Sequence, residues 1–280
     1  MATFTNTMLN PRLKAMIVPR EHGAWGMLLV PLVTGAVVAA GHAMNPLALS
    51  LLLIVALALF WLRTTVEAWV GTSAIKAHTP RERRIVLSVA SALSLVAVIA
   101  IASLFRLGYL GGLLIIGAVA ALSFIVQAIV KRLGRRARML AQIIGAVGLT
   151  STAASAYYVA TGQLNSTAVA LWAANWLFAC NQVHFVQLRI HAGRANSLGE
   201  KLQHGSMFLI GQSALFVAAA LLSAKGIFPK YAMMAFLPVV IRGTAWFFCG
   251  PRRLDVHRLG FSELFQSILF GTLLCTAFMV

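Results

Sequence analysis

Windows of about 20 consecutive apolar residues recur along this chain, and a helix needs that length to cross about 30 Å of hydrocarbon. Hydrophobic residues make up 60% of the sequence and charged residues 10%, unlike a soluble globular domain. Because the apolar runs are continuous instead of alternating, they exclude a transmembrane barrel, and only helices then satisfy the backbone within lipid. The sequence therefore predicts an all-α fold, a polytopic transmembrane helical bundle.

Nine apolar segments are predicted to span the membrane, as one integral membrane domain over residues 1–280 that begins with a cytoplasmic segment at 1–18. The fifth segment is the least apolar, since it is rich in the small residues that close helix packing in membranes uses. The predicted cores are Trp25–Gly41, Pro46–Trp69, Ile85–Leu104, Gly108–Val130, Met139–Ala160, Thr167–Ile190, Met207–Ala224, Tyr231–Gly250 and Phe261–Val280.

Basic residues indicate the orientation of the spans, because Lys and Arg collect in cytoplasmic connections. They are concentrated in the N-terminal segment and after predicted spans 2, 4, 6 and 8, whereas the alternate connections hold only Arg106, Lys225 and Lys230. This predicts a protein of the bacterial cytoplasmic membrane with its N-terminus in the cytoplasm and its C-terminus outside. Membrane lipids are the predicted partners of the +17 net charge. Nucleic acid is not, since the basic residues are scattered over short connections, and no protein partner is indicated.

Two segments carry polar residues at the edge of the predicted membrane. At the end of span 2, Arg63 and Glu67 are four residues apart and share one helix face, with Lys76 in the connection that follows. Charges at this depth usually face a cavity or a partner. The plainer interpretation is an arginine that extends to the headgroups, with Glu67 as its counter-ion.

At the end of span 6, in "NQVHFVQLRIHAGR", Asn181, His184 and His191 lie along one helix side, and Arg189 lies on the adjoining side. A lipid-facing helix could not carry so many polar groups, so this end is predicted to face a polar cavity. The alternative is a set of interhelical hydrogen bonds. No HxxxH or CxxC spacing is present, and no metal site is predicted.

The stretch "VPREHGAWGMLLVPL" precedes and enters span 1, and it resembles the signature of the YwiC-like family of bacterial integral membrane proteins, known for an EHGAW motif. The resemblance implies a fold and a location more than a chemistry. Glu21 is predicted to balance a basic cavity or to act as a base, and His22 and Glu67 are the other catalytic candidates. The plainer interpretation is that Glu21 favours the helix dipole and pairs with Arg20.

The layout of nine spans, with longer polar inner connections after spans 2 and 6, resembles the UbiA superfamily of intramembrane prenyltransferases. That resemblance implies aspartate-rich motifs at the ends of spans 2 and 6, which hold magnesium and a prenyl diphosphate. In span 6 this chain has the asparagine, Asn181, but Phe185 and Arg189 stand where the aspartates belong.

The span 2 motif departs from the superfamily in the same way, because Arg63, Glu67 and Gly71 occupy its Asn, Asp and Asp positions. Magnesium requires several oxygen ligands, and a single glutamate does not supply them, so no cofactor is predicted. Arginine binds phosphate directly. The predicted substrate-binding residues at the cytoplasmic mouth of the cavity are Arg20, Arg63, Lys76, Asn181, His184, Arg189, His191 and Arg194.

The leading hypothesis is an integral membrane protein on a UbiA-like scaffold, which binds or transfers an isoprenoid- or quinone-type lipid at a basic, cytoplasm-facing cavity. Whether it is an enzyme is left open; a catalyst would be prenyltransferase-like but would lack the aspartate-rich motifs. The alternative is a non-enzymatic membrane carrier or an assembly partner of a respiratory complex. The number of carboxylates in the cavity distinguishes the two classes.

Reporter fusions test the predicted orientation. Fusions after Arg138 and after Lys201 should report a cytoplasmic location, and a fusion at Val280 an external one, because the basic residues set the topology. A cytoplasmic C-terminus would contradict the nine-span arrangement.

Overall fold

The computed structural model of the chain describes residues 11–19, 22–42, 44–73, 75–134, 137–193, 195, 197–250 and 255–280. The regular structure in these residues is helical, and none of them forms a strand. The predicted all-α class is therefore confirmed. The chain divides into two compact units: unit 1 comprises Met1–Glu21 and Ser50–Gly108, and unit 2 comprises His22–Leu49 and Tyr109–Val280.

The helices are labelled in chain order. A short 3-10 helix, Ala232–Phe236, leads directly into α10, and α6 and α7 adjoin at Ser151. The bounds are α1 Pro11–Ile17, α2 His22–Val38, α3 Pro46–Val70, α4 Pro80–Arg106, α5 Leu110–Lys131, α6 Arg138–Thr150, α7 Thr152–Thr161, α8 Ser166–Ala192, α9 Leu198–Ala224, α10 Leu237–Phe248 and α11 Val256–Met279.

Six helical segments among the described residues are long and apolar enough to cross a membrane, so the protein is membrane-embedded. They correspond to α3, α4, α5, α6 with α7, α9 and α11. Shorter apolar helices lie at Gly23–Val38 and Ala232–Phe248. The 27-residue α8 is not among the six, since polar residues lower its hydropathy. The count of nine spans and the UbiA-like layout stay predictions.

Unit 1 is organised around the start of α4. Thr79 accepts a hydrogen bond from the backbone N–H of Glu82 at 3.1 Å, and the Glu82 carboxylate accepts one from the backbone N–H of Thr79 at 3.1 Å. This reciprocal capping fixes where α4 begins. The same carboxylate pairs with Arg12 at 3.2 Å. Met16 packs in a small apolar core with Ala68, Ala77 and Val86, and these contacts together anchor α1.

Small residues allow the helices of unit 2 to approach closely, as the composition of the fifth predicted span indicated. A Cβ added at Gly35 in α2 would overlap the carbonyl oxygen of Ala153 in α7. At this short separation Thr152 donates a hydrogen bond to the Leu28 carbonyl at 2.9 Å. Every residue from Thr152 to Ala160 is buried. Small residues, glycine and alanine among them, therefore allow the backbones of α2 and α7 to come into direct contact.

Two tryptophans on α8 donate hydrogen bonds to the backbone of α6. Trp172 Nε1 donates to the Val147 carbonyl at 3.0 Å, and Trp176 Nε1 donates to the Ile143 carbonyl at 3.1 Å. Donors and acceptors are each four residues apart, so the two bonds lie one helical turn from each other. An indole N–H inside a membrane has no water partner, and these bonds hold α8 in register with α6.

Substitution tests this register. Trp172→Phe and Trp176→Phe should each lower the free energy of unfolding by about 1 kcal/mol, because each variant leaves a packed ring but removes a hydrogen bond. Trp69→Phe is the control, since Trp69 is 51% exposed, and it should change stability little. Thermal unfolding of the purified protein in detergent measures the three variants, and equal shifts in all three would contradict the assignment.

Candidate functional site

Polar residues of α8 are buried against α11. Gln182 donates to the Glu263 carbonyl oxygen at 3.0 Å and to the Ser267 hydroxyl at 3.2 Å. Ser267 itself donates to the same carbonyl at 2.8 Å. At the end of predicted span 6, Gln182 therefore joins α8 to α11 by interhelical hydrogen bonds.

An ion pair between α10 and α11 lies beside these hydrogen bonds. Arg242 binds both carboxylate oxygens of Glu263, with Nη1–Oε1 at 2.7 Å and Nη2–Oε2 at 3.4 Å. The side chains are 14% and 5% exposed, respectively. The Arg242 guanidinium also lies 4.1 Å from the ring centre of Phe185 on α8, within the range of a cation–π contact. Three helices therefore meet at one charged pair.

Capping residues position the two charged side chains. Asp255 accepts hydrogen bonds from the backbone N–H groups of His257 and Arg258 at 3.0 and 3.2 Å, so α11 begins about 10 Å before Glu263 along its axis. At the end of α10, the Lys201 ammonium donates to the carbonyl oxygens of Trp246 and Cys249. Lys201 is 4% exposed; its charge satisfies a helix C-terminus.

Within the described part of the chain, four buried side-chain atoms lack a hydrogen-bond partner. Three of them belong to the helices that meet at the ion pair: Asn181 Oδ1 on α8, Arg242 Nε on α10 and Gln266 Oε1 on α11. The fourth is Ser223 Oγ on α9. Asn181 is 5% exposed and precedes Phe185 by one turn on the same helix face, and Gln266 follows Glu263 by three residues. We call this group the polar cluster; it comprises Asn181, Gln182, Arg242, Glu263, Gln266 and Ser267.

Aromatic side chains bound the polar cluster along α8. On one side Phe178 stacks on Phe270 of α11 with ring centres 4.0 Å apart. On the other side Phe185 packs against Phe208 of α9 with ring centres 5.7 Å apart, in a core that also holds Trp246. These rings lower the local dielectric and strengthen every electrostatic interaction of the cluster.

The residues predicted at the end of span 2 belong to unit 1. Arg63 and Glu67 pair as their spacing predicts, with Nε–Oε1 at 3.1 Å and both side chains half-buried. Lys76 is exposed, and its backbone carbonyl accepts a hydrogen bond from Arg12 at 3.3 Å. The proposed convergence of these basic groups with span 6 stays a prediction, since the span 6 residues belong to unit 2.

The other predicted residues of span 6 differ in their surroundings. His184 is half-buried and edge-on to Phe208, with ring centres 5.4 Å apart. The exposed His191 forms a 2.8 Å hydrogen bond through Nδ1 with the Gln187 carbonyl. Arg189 is half-buried. The predicted roles of Arg20, Glu21 and Arg194, and of the His22 side chain, fall outside the described residues.

The residues do not fit the magnesium site that the UbiA resemblance implies. Phe185, at an aspartate position, is buried beneath Arg242 and offers no oxygen. In the part of the chain that the structure describes, no three His, Cys, Asp or Glu side chains are grouped to hold a metal ion. A second carboxylate, Glu263, is present, but Arg242 binds both of its oxygens.

Sequence reasoning missed the partnership of Arg242 with Glu263, although a signal was present. Both are charged residues within consecutive predicted spans, and their signs are opposite. Arg242 lies about as far before the end of α10 as Glu263 lies after the start of α11. If α10 and α11 run antiparallel, the two side chains are therefore at the same level along the helix axes. Intramembrane ionisable residues pair with one another, and this symmetry would have identified the partner.

These features define a polytopic helical membrane protein with a buried polar site. The family model described as YwiC-like protein matches residues 18–158, about half of the chain, and the chain belongs to this family. The match ends before α8, so the polar cluster lies beyond it. No curated protein and no solved structure matches the chain.

Variants of the ion pair test its energetic role. Arg242→Met or Glu263→Gln alone should destabilise the protein by roughly 3–5 kcal/mol, because each leaves an unpaired or poorly paired group in a buried site. The double variant Arg242→Met with Glu263→Met should lose much less than the sum, since no buried charge remains. Thermal unfolding in detergent gives the comparison. Additive losses would show that the two side chains do not act as a pair.

Proposed function

We propose that this protein binds the headgroup of an isoprenoid- or quinone-type lipid at the polar cluster, on a UbiA-like scaffold in the bacterial cytoplasmic membrane. The observation that carries the proposal is that three buried polar atoms of the cluster, Asn181 Oδ1, Arg242 Nε and Gln266 Oε1, have no hydrogen-bond partner among the residues that the structure describes. Of the helices that carry them, α11 is long and apolar enough to cross a membrane, and α8 and α10 pack against it.

An unpaired polar group costs about 1–3 kcal/mol when it is buried. Three such groups on the helices that meet at one ion pair are a large cost in a marginally stable fold. A ligand that supplies the missing hydrogen bonds removes the cost on binding. Charged residues within membrane segments also mark substrate and ion pathways.

The surroundings suit an amphipathic ligand. Phe178 and Phe185 flank the cluster and give it apolar, aromatic surroundings. Sequence neighbours of the cluster on α10 and α11 expose apolar side chains, among them Ile241 and Phe265. A lipid tail can contact these side chains while its polar end lies in the protein.

The proposed orientation places the cluster toward the cytoplasmic side. The end of α8 and the start of α11 are then the cytoplasmic ends, and Arg189 and His191 follow the cluster in that direction. Basic groups there would favour headgroups over tails at the mouth of the site. This is the part of the basic cavity that unit 2 supplies by itself.

The carboxylate oxygens available in the cluster favour lipid binding over magnesium-dependent prenyl transfer. Ionisation of a prenyl diphosphate through magnesium requires several free oxygen ligands. The carboxylate of the polar cluster, Glu263, is bound on both oxygens by Arg242. The residue set thus supports a binding protein or carrier more directly than a magnesium-dependent transferase.

Lipid analysis tests the proposal. Mass spectrometry of lipids extracted from the purified full-length protein should find an isoprenoid or quinone lipid enriched over the total membrane extract. Asn181→Leu should abolish the enrichment without lowering the melting temperature, because it removes an unpaired acceptor. Gln187→Leu is the matched control on α8; it loses a 3.0 Å hydrogen bond to Gln142 outside the cluster and should retain the lipid.

Two results would contradict the proposal. One is a lipid composition identical to that of the total extract, which a non-binding protein such as an assembly partner would give. The other is equal enrichment in the wild type and in Asn181→Leu, which would place the lipid elsewhere.

A further inference from the structure

We infer that the headgroup held by the polar cluster is uncharged and carries a hydroxyl group, as in a prenyl alcohol or a prenylated hydroquinone, and that it is not a diphosphate. The inference rests on the proposed function, because it specifies the ligand of the same site. Two separate observations support it: the net charge of the cluster, and the donor or acceptor character of its unpaired atoms.

The charge balance of the cluster is zero. Arg242 carries the positive charge and Glu263 the negative one, and they neutralise each other through two contacts. The other members, Asn181, Gln182, Gln266 and Ser267, are uncharged. Lys201 is engaged by the carbonyl oxygens at the end of α10. A diphosphate beside the cluster would meet Glu263 in a low-dielectric site, where like charges repel strongly.

The unpaired atoms include more acceptors than donors. Asn181 Oδ1 and Gln266 Oε1 are acceptors, and Arg242 Nε–H is a donor. A diphosphate or a quinone carbonyl only accepts hydrogen bonds, so it would leave both amide oxygens unpaired. A hydroxyl group donates to an amide oxygen and accepts from Nε–H, and a hydroquinone can do so at each of its two hydroxyls.

This complementarity gives selectivity by hydrogen bonding. A site that pairs with a hydroxyl rejects the analogue without the donor, because the buried acceptor is then left unpaired. A methyl ether replaces the hydroxyl hydrogen with a methyl group, so it loses the donor but keeps an oxygen that accepts. Comparison of the ether and the alcohol in the wild type and in Asn181→Leu then separates the lost donor from the added methyl group.

The experiment compares four probes with the same isoprenoid tail: geranylgeraniol, its methyl ether, geranylgeranyl diphosphate and geranylgeranyl hydroquinone. Calorimetry on the purified full-length protein in detergent should show that the alcohol binds about tenfold or more tightly than the ether. The diphosphate should bind more weakly than the alcohol, with magnesium or with chelator. The tighter of the alcohol and the hydroquinone identifies the source of the hydroxyl.

Variants separate the amide oxygens from general folding effects. Asn181→Leu should reduce the preference for the alcohol over the ether, and Arg242→Lys, which keeps a positive charge beside Glu263 but removes Nε–H, should weaken both ligands. Gln187→Leu should keep the full preference. An ether that binds as tightly as the alcohol, or a diphosphate that binds most tightly, would overturn this inference but leave lipid binding intact. Failure of all four probes to bind would overturn the proposed function as well.

Discussion

The requirement that polar groups inside hydrocarbon find partners within the protein governs the structure of unit 2. Trp172 and Trp176 donate to backbone carbonyls of α6, and Lys201 satisfies the end of α10. The ion pair between Arg242 and Glu263 is the most demanding case, because either charge alone would be very costly at this depth. The helices α8, α10 and α11 must therefore meet where the two side chains reach each other.

Close helix packing makes many of these hydrogen bonds available. Gly35 brings α2 against the backbone of α7, and Asn175 then reaches Thr34 Oγ1 at 3.2 Å. The small residues that lower the hydropathy of the fifth predicted span are the ones that create this contact. In the described residues, three of the four buried side-chain atoms without a partner belong to the polar cluster, and they carry the proposal of a lipid headgroup site.

The candidate site was predictable in part. The polar face at the end of α8 is visible in the spacing of Asn181 and His184, and Asn181 is a buried member of the cluster. The same spacing could not show that Gln182 bonds to Ser267 or that Phe185 lies under Arg242. Those contacts depend on the rotation of α8 relative to α10 and α11. The roles proposed for Arg63, Glu67 and Lys76 in unit 1 remain predictions.

The sequence by itself determined the membrane-embedded helical fold, the start of α4 at its capping box and the pairing of Arg63 with Glu67. Each follows from residues within about one or two turns of each other, whose relative positions the helix geometry already sets. Tertiary structure alone decided which acid neutralises Arg242 and which polar atoms stay unpaired. The physical reason is that partners on different helices depend on packing distance and helix rotation, which local periodicity does not specify.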